Sequence, residues 1–161
     1  IFFSKHTPAH PLLRSLVGSE MCIRDRCLCG QVCYKSHAEP VLILNCHCED
    51  CRRSTGAVYG TNVMVAEDQL EIHGNVSTFS HKAKSGNTMT KRFCTNCGTL
   101  MFGNSSGRTN VVSIRAGTVD QTDIINPMMN VFVDSKISST PMNNDLPKAS
   151  EMPLGEPWKK D

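Results

Sequence analysis

The sequence lacks any apolar run near the roughly 20 residues that span a bilayer. Its longest aliphatic stretch, Val41 to Leu44, is the size of a strand. It also lacks blocks of like charge, since 17 basic and 15 acidic residues give 161 positions a formal net charge of only +2. No Lys/Arg stripe with interleaved aromatics is present, so no nucleic acid and no membrane partner is expected. Helical periodicity is scarce, with one turn around Glu49 to Ser54 and a short segment near Asp120 to Ile125 as the best candidates. A secretory signal is missing too: the apolar pieces near the start are short and interrupted by Pro8, Pro11 and Arg14.

What is present reads as a single mainly β domain. Short runs rich in branched or aromatic residues, among them "QVCYKS", "VLILNC", "TNVMVA", "TMTKRF", "TLMFGN", "VVSIRAG" and "NVFVDS", are separated by Gly, Asn, Asp or Ser. Residues 27–140 are the expected domain and 141–161 an irregular C-terminal tail, because "NNDLP" and "EMPLGEP" break any regular pattern. Residues 1–26 include "SLVGSEMCIRDR", which is similar to a read-through of sequencing-adapter DNA. They are expected to be a non-native or disordered leader that packs poorly and joins no sheet.

Nine cysteines stand out, at positions 22, 27, 29, 33, 46, 48, 51, 94 and 97. The odd count fits no complete disulfide framework, and without an export signal a reducing, cytoplasmic setting is expected, where clustered cysteines serve as metal ligands. If "CLCG" is extended, Cys27 and Cys29 point to one side and supply half of a tetrahedral site. In "FCTNCGT", Cys94 and Cys97 flank a tight turn, with Gly98 free to take a positive φ, and supply the other half. Two such pairs close the coordination of zinc. "CHCEDC" offers a second centre of three thiolates, Cys46, Cys48 and Cys51, with His47 pointing away. Three protein ligands and a vacant position describe a catalytic zinc; His47, a water or another side chain completing the set would make it structural. Cys33 reads as a small residue packed on a strand, and His73 and His81 as surface residues.

In these residues the sequence resembles the glutathione-dependent formaldehyde-activating family, which also contains centromere protein V. "CLCGQVCY", "CHCEDCRRSTGA", "FCTNCGTLMF", "RAGTVD" and "VFVDSK" look like its successive signatures, in order, over residues 27 to 136. The resemblance implies a β-tent fold, small antiparallel sheets held together by zinc. It implies two zinc ions per chain, a structural one on Cys27, Cys29, Cys94 and Cys97 and a second on Cys46, Cys48 and Cys51 where a thiol substrate would bind. Cys33 in place of a basic residue, Asn130 in place of a histidine, and no tryptophan after Lys136 depart from the usual pattern.

The implied activity is that of a carbon-sulfur lyase acting on a glutathione-aldehyde adduct, forming or cleaving S-hydroxymethylglutathione. The small-molecule partner would be a thiol such as glutathione. Arg52 and Arg53, directly after the third ligand, are the candidate substrate-binding residues, able to pair with a glutathione carboxylate or to offset the thiolate charge. The alternative function is a zinc-stabilised binding module without catalysis. A pocket opening onto Cys46, Cys48 and Cys51, with Arg52 or Arg53 at its rim, separates the first reading from the second.

Overall fold

The computed structural model describes residues 23–153. Its first sheet is small and antiparallel: β1 (Ile23–Arg26) pairs with β2 (Cys33–Ser36), and β2 with β5 (Leu70–His73). The second sheet has eight strands. Its antiparallel part runs in space from β3 (Leu42–Cys46) through β4 (Gly60–Ala66), β9 (Arg108–Arg115), β8 (Leu100–Ser105) and β7 (Thr88–Cys94) to β6 (Val76–Lys82). At the other edge, β10 (Met129–Val131) joins β3 in parallel, and β11 (Lys148–Ala149) joins β10 in parallel. The fold is mainly β as expected. The pairings of β10 are parallel rather than antiparallel.

Both faces of the central strands are covered, which explains the near-continuous apolar runs in "NVMVA" and "VVSI". One row, Ile43, Val63, Ile114 and Phe102, follows the strand register from β3 to β8 and packs towards Tyr34 of the small sheet and Val32 just before β2. The Tyr34 ring meets Phe102 edge-on at 4.9 Å between centroids, and its hydroxyl hydrogen-bonds Thr118 Oγ1 at 2.6 Å. The opposite face carries Leu42, Leu44, Met64 and Val111, which pack with Cys46 and with Cys51 from the helix α1 (Glu49–Thr55). Phe102 is fully buried, so Phe102→Ala should lower stability by about 3–5 kcal/mol, read as a reduced denaturant midpoint at unchanged slope.

Four expectations need correction. Residues 23–26 do join a sheet: Asp25 is buried, and its Oδ1 accepts the Asp120 amide at 2.8 Å, so the ordered domain reaches four residues further upstream than expected. The leader at 1–22 lies outside the described residues. "CLCG" is a turn, not a strand, closed by the Gly30 amide donating to the Cys27 carbonyl at 3.0 Å. "NVFVDS" is a strand only to Val131, because Phe132 takes a left-handed backbone (φ 56) and Val133–Ser135 form a 3-10 turn. The tail at 141–161 is not wholly irregular, since β11 lies within it and the Pro147 carbonyl accepts the Asn130 amide at 2.8 Å; 154–161 lie outside the described residues.

Burial pushes the Asp25 carboxyl up to about 7, against the favourable hydrogen bond from the Asp120 amide. Between the ordinary carboxylate range and about pH 7 the folded chain therefore holds a proton that the unfolded chain has released. Stability from this group falls as pH rises through that window, by at most about 1.4 kcal/mol per pH unit. Asp25→Asn retains an oxygen for the Asp120 amide and should flatten this slope, seen by comparing thermal midpoints of both proteins from pH 4.5 to 7.5.

Candidate metal centres

The first centre sits where the two sheets meet. Cys27 and Cys29 lie on the turn after β1, Cys94 ends β7, and Cys97 lies in the turn before β8. The four sulfurs all lie within 4.8 Å of one another, with Cys27 to Cys29 at 3.4 Å and Cys29 to Cys94 at 3.8 Å. Four thiolates around one zinc stand about 3.8 Å apart, so the donor set fits that ion. Gly98 has φ 70, as the tight turn requires, and donates to the Cys94 carbonyl at 3.0 Å. The Val32 amide points at Cys27 Sγ (3.3 Å). The Thr99 hydroxyl and amide hold the Cys97 thiol well below its ordinary range, at about 5. Such donors stabilise thiolate rather than thiol.

The second centre is local to one corner. Cys46 ends β3, Cys48 is the N-cap of α1, and Cys51 lies in the helix's first turn, which brings the three sulfurs within 4.8 Å of one another. The Cys48 sulfur accepts the Cys51 amide at 3.3 Å, the bond a Ser or Asp cap would otherwise make. Cys46 and Cys51 are buried and Cys48 half-buried. Gly60, opposite Cys46 in the register, permits the approach: a Cβ there would stand 3.0 Å from Arg115 Nη1 and 3.5 Å from the Cys51 Cβ.

The charges around this centre come largely from residues that the sequence did not single out. Arg115, buried at the end of β9, places Nη1 3.6 Å from Cys51 Sγ and also donates to Asn62 Oδ1. Lys91 on β7 is 5% exposed; burial and the neighbouring Arg115 weaken its protonated form, while Cys51, Cys48 and Asp50 favour it. Arg108 lies in the field of Cys46 and Cys51. The Cys51 thiol is strongly lowered by hydrogen bonding from Cys46 and Cys48 and by the charges of Arg115 and Lys91, whereas Cys46, which shares its proton towards them, is raised.

The two expected substrate arginines are placed differently. Arg53 is an exposed helix residue paired with Glu49 at 2.8 Å, and Arg52 is half-buried with no hydrogen-bond partner for its Nε. Cys33 is exposed rather than packed. Cys22 lies outside the described residues. Of the histidines, His81 pairs with Asp50 at 3.2 Å and His73 is exposed.

His47 is not part of the three-sulfur group, as alternation from Cys46 suggested. Its ring is buried beside Tyr59, 5.1 Å between centroids, and neither ring nitrogen makes a hydrogen bond of good geometry. It lines a cleft of about 400 Å³ together with Asn45, Tyr59, Asn130 and residues 141–143. No cysteine and neither Arg52 nor Arg53 is in the wall of this cleft.

The profile of the glutathione-dependent formaldehyde-activating enzymes matches residues 22–135, more than half of the chain. The chain belongs to this family. A crystal structure of a Rhodobacter sphaeroides protein is similar in fold, with a TM-score of 0.50 at 19% identity over 65% of this chain and 91% of that one. Comparison with curated proteins gave no match. Membership accounts for the order of the cysteine signatures, and the folded chain gathers them into two groups able to hold metal ions. No helix among the described residues is long and apolar enough to cross a membrane.

Proposed function

We propose that this family member is a zinc-dependent carbon-sulfur lyase, acting on the adduct of glutathione with a small aldehyde. The observation that carries the reading is the three-thiolate group at the head of α1, half-open at Cys48 and set against buried cations. Cys27, Cys29, Cys94 and Cys97 would hold a structural zinc, and Cys46, Cys48 and Cys51 a second. A zinc with three protein ligands supplies a position at which a thiol is held as thiolate at neutral pH.

The chain's own residues then have definite tasks. Cys46 and Cys51 anchor the centre against the apolar face of β3 and β4, and the Cys51 amide fixes the Cys48 sulfur. Arg115 and Lys91 sustain the thiolate charge. In the reaction the thiol sulfur bonds to the carbonyl carbon, the carbonyl π bond opens, and the proton leaving sulfur ends on the new hydroxyl. The reverse direction breaks the carbon-sulfur bond. Arg52, at the C-terminal side of Cys51, remains the candidate for a glutathione carboxylate; Arg53 would first have to leave Glu49.

A second reading, a zinc-stabilised module without catalysis, draws support from the burial of Cys46 and Cys51 and from a cleft whose wall does not include them. Exchange NMR of glutathione with 13C-formaldehyde separates the two. The lyase should speed the appearance of the hydroxymethyl adduct, and Cys51→Ser should return the rate to that of buffer. Equal rates with and without the wild-type protein would favour the module.

A further inference from the structure

We propose that Lys91 and Arg115 make the open side of the three-cysteine centre selective for anionic ligands, so that a small anion rather than a neutral donor completes it. The proposal rests on the reading that Cys46, Cys48 and Cys51 hold zinc. Three thiolates on a divalent ion leave a charge of −1, and two buried cations on the same face oppose it. Asp50 also acts on Lys91, and it lies 3.2 Å from the His81 ring. Glu49 is engaged by Arg53 at 2.8 Å, with Lys84 at 3.8 Å.

The strand register shows why these cations act on the centre. Lys91 stands opposite Gly103, Gly103 opposite Ser113, and Ser113 opposite Met64. Cross-strand partners share a face, so Lys91 lies on the Met64 face that carries Cys46 and Cys51. Arg115, two residues beyond Ser113, shares that face and reaches Cys51 directly. Gly103 keeps the lane open, because a Cβ there would meet Ser113 Oγ at 2.9 Å. Lys91 and Arg115 are 5% and 6% exposed. Water screens them weakly, and their field acts on whatever binds beside Cys48. A buried lysine facing a solely structural, four-ligand site would have no such ligand to act on.

The test is a titration of the cobalt(II)-loaded protein with thiocyanate and, separately, with imidazole at pH 8, followed in the visible spectrum. Lys91→Met should weaken thiocyanate binding about tenfold, leave imidazole binding unchanged, and be reversed by Lys91→Arg. A structural defect would weaken both ligands alike, and that result overturns the proposal. So does an unchanged thiocyanate affinity. Glutathione, added to the same wild-type sample, answers the other question: no glutathione response beside intact thiocyanate selectivity sinks the lyase reading and leaves the anion site standing.

Discussion

Cys97→Ser and Cys94→Ser are each expected to leave the chain unfolded or insoluble. The four-cysteine centre joins the turn after β1, in the small sheet, to the β7–β8 turn of the large one. Cys27 and Cys94 are 2% and 1% exposed and belong to the same apolar cluster as Val32, Tyr34 and Phe102. A bound metal would therefore cross-link the core at its end. A structural zinc contributes an apparent ~10–16 kcal/mol in zinc-finger peptides, as much as the whole ~5–15 kcal/mol of a typical domain. Without it, polar thiols would be packed against one another in an apolar setting with nothing to bind. Circular dichroism and zinc content of the soluble fraction measure the effect. A folded Cys97→Ser protein with one zinc fewer would show that the centre is not what holds the sheets together.

Cys51→Ser is expected to have the second largest effect, on chemistry rather than on folding. Cys51 belongs to the smaller cluster over the opposite face, and the row from Ile43 to Phe102 does not depend on it. Losing its sulfur leaves Arg115 without its thiolate, and stability should fall by on the order of 1–3 kcal/mol. The second metal should be lost, and any response to glutathione with it. Zinc analysis should give two ions for the wild type and one for the variant, with a modestly lower thermal midpoint. Unfolding as complete as that of Cys97→Ser would make the second centre structural.

Much of this was legible in the sequence because strand periodicity and cysteine spacing are local signals. The runs at "VLILNC", "TNVMVA" and "TMTKRF" became β3, β4 and β7 with ends shifted by at most one residue. The turn around Glu49 to Ser54 became α1, whose first turn carries Glu49 and Asp50 and whose last carries Arg52 and Arg53, in favour of the helix dipole. "CLCG" was misread because a turn and a strand both bring residues i and i+2 together; only Gly30, at φ 75, hinted at the turn. β11 escaped notice because its two residues carry no periodicity and follow Pro147. The cations were the larger omission. Arg115 lies 64 residues from Cys51, and only the pairing of β4 with β9 brings it near. A charged residue closing the buried run "VVSI", and another inside "TMTKRF" in a sheet covered on both faces, were the available signals.

The proposed function requires that the three-cysteine centre bind a metal whose remaining position accepts a thiolate. The most direct measurement is the absorption spectrum of the cobalt(II)-substituted protein during a glutathione titration. The expected result is a rise in sulfur-to-cobalt charge-transfer intensity that saturates at one glutathione per chain, is absent with S-methylglutathione, and is lost in Cys51→Ser. A spectrum that glutathione leaves unchanged, with both metals bound, would contradict it.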